Sequence, residues 1–506
     1  MVFPERASGI LLHPTSLPGP YGIGTLGKAA FDFIDFLARA RQRYWQILPL
    51  GPTGYADSPY QCFSAHAGNP NLIDFNLLVR EGYLEKKDLW GFPDLGDGPI
   101  QFDLLQKARL PLLKKAFDRF SSSSDAMAKT RCRNFIKEEY RWLNDYALFR
   151  AIKSYFAELP WYDWDEKARN RDPKTLNQLQ SKLHESIEFH KFLQHLFFRQ
   201  WRAVREYAHK RKIKIIGDIP LYIARDSADS WANTSIFEFD EQGKPLRVGG
   251  VPPDYFSETG QLWGNPLFRW KECKEVVYAW WVDRIRTNLN LYDIIRIDHF
   301  RGFAAYWAVP FGEKTAVNGK WIPGPGIDFF TAMENALGDL PIIAEDLGVI
   351  TPDVEKLRDS FGFPGMKILE FAFDSSEAND YLPHNYPKNC IVYTGTHDND
   401  SVAAWFHSVS EEDQALVLEY LNSSGKEITW DFVRLAWASV ALTAIAPMQD
   451  LLGLNESARM NLPGTITGNW LWRAKSTDFT PDLATRLARL TELYGRARKL
   501  KILNSL

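Results

Sequence analysis

The chain has 506 residues and a net charge of −3, from 60 Lys and Arg against 63 Asp and Glu. That length exceeds one simple core and predicts either several domains or one large fold with insertions. The balanced charge excludes a basic field for nucleic acid or an anionic membrane surface. In chain order, strand-like apolar runs begin with GILLHP (9–14), followed by the helix-like KAAFDFIDFLARA, and YWQILPL (44–50), ended by the turn-rich GPTGYADSPY. They continue with IKIIGDIPLYI (213–223), YDIIRIDHF (292–300), PIIAEDLG (341–348), MKILEFAF (366–373), NCIVYTGTHDND (389–400) and SVALTAIAPMQDLLG (439–453). Unbroken apolar runs are the mark of strands buried on both faces. About eight of them, several separated by helical stretches such as PDVEKLRDSF (352–361), predict an α/β chain built as a (β/α)8 barrel with large, mainly helical insertions.

The whole chain reads as one catalytic barrel. The insertions fall at about 85–212, helical, and about 224–290, loop and helix after the third strand. In the first, from about Leu104 to Lys212, Leu113, Phe117 and Phe120 recur at helical spacing, as do Trp142, Tyr146 and Phe149, and Phe189, Leu193 and Leu196. Asp172-Pro173 offers a helix N-cap with Pro at the first helical position. In the second, RVGGVPPDYFSETGQLWGNP (247–266) is dense in turn residues, as is the late loop GLNESARMNLPGTITGNW (453–470).

Two motifs are set aside. Gly22-x-Gly24-x-x-Gly27 matches the dinucleotide fingerprint, but HPTSLPGPY separates it from the preceding strand, so the tight phosphate turn cannot form. His299, His397 and Asp398 lack the further ligand that a metal spacing needs. The four cysteines, Cys62, Cys132, Cys273 and Cys390, are scattered with no CxxC pair, which favours a reducing compartment. MVFPERASGI carries no secretory pattern, and no apolar run of about 18 residues predicts a membrane span. The 18 Trp, 20 Tyr and 33 Phe exceed what core packing suggests, and flat rings stack on sugar C–H faces.

Three strands run straight into a carboxylate: Asp298, Glu345 and Asp398. In a parallel barrel those strand ends converge on one mouth, where catalytic groups gather, and paired carboxylates are the usual equipment for glycosidic bonds. Arg296 lies two residues before Asp298, on the same side of its strand, where a guanidinium lowers the carboxyl's pKa and keeps it ionised as a nucleophile must be. A structural Arg–Asp pair is the alternative. A like charge beside Glu345 raises its pKa and holds a proton for a leaving oxygen; alternatively it caps a helix. Asp398, taken alone, is as readily a capping residue.

ADSPYQ, GDIPLYI, VPPDYFSETGQLWGNP, RIDHFRGF, IIAEDLG and GTHDND together give the chain a resemblance to the amylomaltases, or disproportionating enzymes, 4-alpha-glucanotransferases of the α-amylase superfamily. The likeness covers nearly the whole chain. It implies Asp298 as nucleophile, Glu345 as acid/base and Asp398 as transition-state stabiliser. It also implies sugar contacts from Ser58, Tyr60, Asp218, Asp254, Gln261, Trp263, Arg296, His397 and Asn469, and neither metal nor cofactor. The expected reaction moves α-1,4-glucan segments to the 4-hydroxyl of an acceptor glucan or glucose, with retention. A hydrolase with the same three acids is the alternative. The expected partners are maltooligosaccharides and α-1,4-glucans, with no nucleic acid and no membrane. The expected location is the cytoplasm, or the plastid stroma if a transit peptide has been removed.

Overall fold

The computed structural model describes residues 2–253, 257–374 and 379–498. Its strands, in chain order, are β1 (Ala7–Leu11), β2 (Tyr44–Gln46), β3 (Lys214–Pro220), β4 (Arg247–Val251), β5 (Gln261–Pro266) and β6 (Ile294–Asp298), then β7 (Ala305–Pro310), β8 (Lys320–Pro323), β9 (Ile342–Ala344), β10 (Gly365–Ile368), β11 (Cys390–Tyr393) and β12 (Thr443–Pro447). Eight pair in parallel in the order β10-β11-β12-β1-β2-β3-β6-β9. The Ala344 N–H donates to the Pro364 carbonyl at 3.0 Å, which carries β9 onto the approach to β10 and closes the ring. Each of the eight apolar runs supplies one of these strands.

Side chains alternate along a strand, so every second residue faces the bore. Ile216, Ile294, Ile343, Met366, Ile391, Tyr393 and Ile445 share one buried apolar cluster. Two residues beyond Ile294 and Ile216, at the next step of the β3–β6 register, stand Arg296 and Asp218. The bore therefore changes from hydrocarbon to ionic toward the C-terminal ends of the strands, where parallel barrels carry their chemistry. At the opposite end the buried Arg496 donates to the carbonyls of Trp437 at 2.8 Å, Ala7 at 3.0 Å, Ser439 at 3.1 Å, Ala436 at 3.2 Å and Leu442 at 3.3 Å. It ties the start of β1 to the approach to β12 and to the end of the helix Ile428–Ala438.

The segment between β2 and β3 includes the helices Phe102–Ser122, Ala126–Glu138, Tyr140–Tyr155, Pro173–Lys182 and His184–Lys210. Of the nine periodic apolar positions, all but the half-buried Trp142 are buried. The Asp172 carboxylate accepts from the Thr175 N–H at 2.8 Å, with Pro173 opening the helix.

The turn-dense segment 247–266 is not a loop throughout. β4 and β5 join β7 and β8 in a second sheet, antiparallel and ordered β5-β4-β7-β8. Glycines masked these strands in the sequence, yet the packing needs one of them: a Cβ on Gly249 would come within 2.7 Å of the Tyr222 ring. The rejected glycine motif is explained likewise, since a Cβ on Gly24 would lie 2.0 Å from the Pro14 carbonyl oxygen. Among the described residues no helix is long and apolar enough to cross a membrane.

Candidate active site

Asp298 is the last residue of β6, and Arg296 stands one pleat below it on the same face. The Arg296 Nη2 is 3.1 Å from Asp298 Oδ1, while Nη1 donates at 2.6 Å to Oδ2 of Asp218 on β3. Burial works against the Arg296 charge, but the two carboxylates outweigh it and hold its pKa well above the usual guanidinium range. Asp218 is fully enclosed, and burial raises it to about 7 against the pull of Arg296. Asp298 keeps 29% of its side-chain surface open to the cleft. Its surroundings nevertheless raise its pKa: burial leads, Arg296 opposes, and the Asp398 charge adds to the rise. The sequence expectation was right about the sign of the Arg296 effect and wrong about the net shift, because enclosure at the barrel mouth, with the Asp398 charge, outweighs the guanidinium.

Glu345 follows β9 and is clamped by main chain. Its Oε2 accepts from the His299 N–H at 2.7 Å and its Oε1 from the Leu347 N–H at 3.0 Å. His299 reaches that position with a left-handed backbone, φ 56° and ψ 47°, a region where His is enriched among residues other than glycine. Burial pushes Glu345 up to about 8; Arg296 opposes this and Asp298 adds to it. The rise expected from a like charge is present, but burial is its larger cause.

Asp398 lies five residues beyond β11, in the loop that follows, with 42% of its side chain exposed. The Asn461 Nδ2 donates to its Oδ1 at 2.6 Å. Its neighbour His397 is buried, which lowers the imidazole pKa despite the Asp398 charge. The Tyr60 hydroxyl donates to Asp218 Oδ2 at 2.8 Å and meets His397 Nε2 at the same distance. A hydroxyl carries one proton, and here Asp218 receives it. His397 Nε2 must then carry the hydrogen that the Tyr60 oxygen accepts. The Tyr60 and His397 rings stack, with centroids 5.3 Å apart and planes 12° apart, and Trp470 packs at 6.0 Å from each.

The structure thus joins Tyr60, Asp218, Arg296, Asp298 and His397 into one network, with Glu345 and Asp398 beside it. Ser58 accepts from the Tyr60 N–H at 3.2 Å. Trp263 meets the His299 ring edge-to-face at 4.8 Å and donates to Gln261 Oε1 at 3.1 Å. Asn469 stands apart: its side chain braces its own loop, accepting from the Leu462 N–H at 2.9 Å and donating to the Thr465 carbonyl at 3.1 Å. Asp254 lies outside the described residues.

A family model described as 4-alpha-glucanotransferase matches residues 12–478. The chain belongs to the 4-alpha-glucanotransferase family. It is 51% identical to the 4-alpha-glucanotransferase of Synechocystis sp. over 97% of its length and 98% of that protein's. It is 45% identical to the chloroplastic/amyloplastic 4-alpha-glucanotransferase of Arabidopsis thaliana, covering 97% of this chain and 86% of that one. The structure of the amylomaltase from Streptococcus agalactiae in complex with acarbose superposes with a TM-score of 0.94 at 42% identity, over 98% of this chain and 100% of that one.

In this member of the 4-alpha-glucanotransferase family, the sequence reading passed over His299 and Leu347 as N–H donors and Asn461 as a donor to Asp398. A backbone N–H carries no residue-type signal. Asn461 lies 63 positions from its partner, so no local spacing joins them. His299, weighed earlier as a metal ligand, packs its ring against Trp263 and Tyr222.

Proposed function

We propose that this 4-alpha-glucanotransferase works by double displacement with retention, using Asp298, Glu345 and Asp398. The observation that carries the reading is the contrast between its two central acids. Asp298 is paired to a buried guanidinium, whereas Glu345 is raised to about 8 and aimed by two main-chain N–H groups. One suits a nucleophile and the other a proton carrier.

Asp298 attacks the anomeric carbon of a bound α-1,4-glucan as the C1–O4 bond breaks, and the Glu345 proton passes to the departing O4. Asp398 faces the positive charge that develops on the ring. A second glucan then replaces the departed fragment. Its 4-hydroxyl gives its proton to Glu345 and bonds to C1, and Asp298 leaves with its electron pair. Tyr60, Asp218 and His397 hold Arg296 and the cleft wall in place, Ser58, Gln261, Trp263 and Asn469 are assigned to sugar contacts, and the resemblance assigns Asp254 to the same role. Maltooligosaccharides and longer α-1,4-glucans are the proposed donors and acceptors. The reducing interior of a cell or plastid suits four free thiols.

Incubation with maltotriose and separation of products by size tests the reaction. Glucose together with longer glucans means transfer, while shorter sugars alone mean hydrolysis and would overturn the reading. An activated fluoro-sugar should label Asp298, and a label on another residue removes it as nucleophile.

A further inference from the structure

Asp398 is the least supported of the three acids. It sits in a loop, its side chain is 42% exposed, and an unrestrained carboxylate samples several rotamers. Charge stabilisation at a transition state works only when the group is already in place. Its neighbour His397 does not fix it. The Nε2–H is committed to the Tyr60 oxygen, and Nε2 lies 3.4 Å from Asp398 Oδ2. Among the described residues, one side-chain hydrogen bond reaches the Asp398 carboxylate, the 2.6 Å bond from Asn461.

The segment around Asn461 is fastened to the same loop at further points. The Asn461 N–H donates to the His397 carbonyl at 3.1 Å. Arg459 donates to the Asp398 carbonyl at 2.8 Å, to Asp400 at 3.3 Å and to the Asn461 carbonyl at 2.9 Å. The Trp470 N–H closes the base of the 460–470 loop onto the Met460 carbonyl at 2.6 Å. Asn461 is therefore tied down through its main chain, and among the described residues its side chain makes one hydrogen bond, to Asp398.

We propose that Asn461 is a positioning residue that fixes the Asp398 carboxylate for the transition state and ties it to the 460–470 loop. The inference rests on the proposed role of Asp398. An amide suits the task because it donates without adding charge: a lysine would neutralise the carboxylate, and an acid would repel it.

A double-mutant cycle on maltotriose disproportionation tests this, with kcat, KM and thermal unfolding measured for each variant. Asn461→Ala should lower kcat about 10- to 100-fold, the loss seen when a catalytic group is misplaced by about 1 Å, with KM within about twofold. Asn461→Asp keeps the shape and the loop but sets a carboxylate against a carboxylate, so it should lose more than the alanine variant. In an Asp398→Asn background, Asn461→Ala should cost nothing further. Equal losses in both backgrounds would overturn the proposal, as would an aspartate variant that works as well as wild type. Failure of the underlying reading is separable: Asp398→Asn alone would then keep its activity, and the proposal would fall with it.

Discussion

Two buried arginines mark the two ends of the barrel, and their surroundings differ in kind. Arg296, at the C-terminal mouth, is held by the carboxylates Asp218 and Asp298. Arg496, at the other end, donates to five main-chain carbonyls. Burial works against both charges. Carboxylates more than restore the first, while carbonyl dipoles leave the second lowered to about 9. The first arrangement stores charge where chemistry needs it. The second bridges carbonyls of a helix end and two strand approaches, where a cation also complements the helix dipole.

The sharpest test of that contrast removes each charge in turn. Arg296→Met leaves Asp218 and Asp298 facing each other without a cation, so Asp298 should hold a proton at neutral pH. We expect kcat to fall about 10³-fold, the scale seen when a preorganised charge partner is lost. The acid limb of the pH profile should move to higher pH, and an unmoved limb would show that Arg296 does not govern Asp298. Arg496→Met should act on stability instead. Hydrogen bonds from a charged group are worth about 1.5–3 kcal/mol each, so losing several at once should cost about 3 kcal/mol or more and clearly lower Tm at fixed scan rate. At temperatures where it stays folded, kcat should remain within about twofold of wild type. A large kcat loss in that variant would blur the division between the two ends.

The pH profile sharpens the same picture. As the proposed acid, Glu345 must be protonated to release the first glucan, and its pKa is raised to about 8. Turnover should therefore be present below about pH 8 and be lost as pH rises through that value. As the proposed nucleophile, Asp298 must be ionised, and its pKa is also raised, so activity should be lost on acidification at a higher pH than for an ordinary aspartate. The two limbs belong to the coupled pair rather than to single residues. The smallest effect is expected from Tyr60→Phe, which removes the hydroxyl between Asp218 and His397. A fall in kcat of about tenfold or less with little change in Tm is anticipated, since a net hydrogen bond is worth about 0.5–1.5 kcal/mol.

The difference between the two arginines also explains what was legible in the sequence. RIDHF placed Arg296 and Asp298 two apart on an apolar strand, so their shared face followed from the pleat alone. The eight barrel strands were legible because burial on both faces writes an unbroken apolar run. Arg496 carried no such signal: its acceptors are carbonyls of Ala7, Ala436, Trp437, Ser439 and Leu442, and any residue type supplies a carbonyl. The second sheet was hidden because Gly249 and Gly250 read as turn residues, although the Tyr222 ring requires the first of them to be bare. The upward shift of Asp298 was missed for a related reason. Spacing shows its neighbour's charge, but only the closed barrel shows how far the surrounding strands and Asp398 enclose it.

The clamp on Glu345 bears on how this enzyme can be stopped. Each carboxyl oxygen accepts one main-chain N–H, from His299 or from Leu347. An amide has a single accepting oxygen. In Glu345→Gln the new NH2 group must point at a backbone donor whichever way the amide is flipped, so one of the two bonds is replaced by a donor–donor clash. The variant usually chosen as a silent mimic would here strain the loop that carries it. Asp298→Asn avoids the conflict, because its oxygen can keep the Arg296 contact at 3.1 Å while its nitrogen takes the other side. Crystallographers seeking a stalled glucan complex should begin at Asp298, the proposed nucleophile.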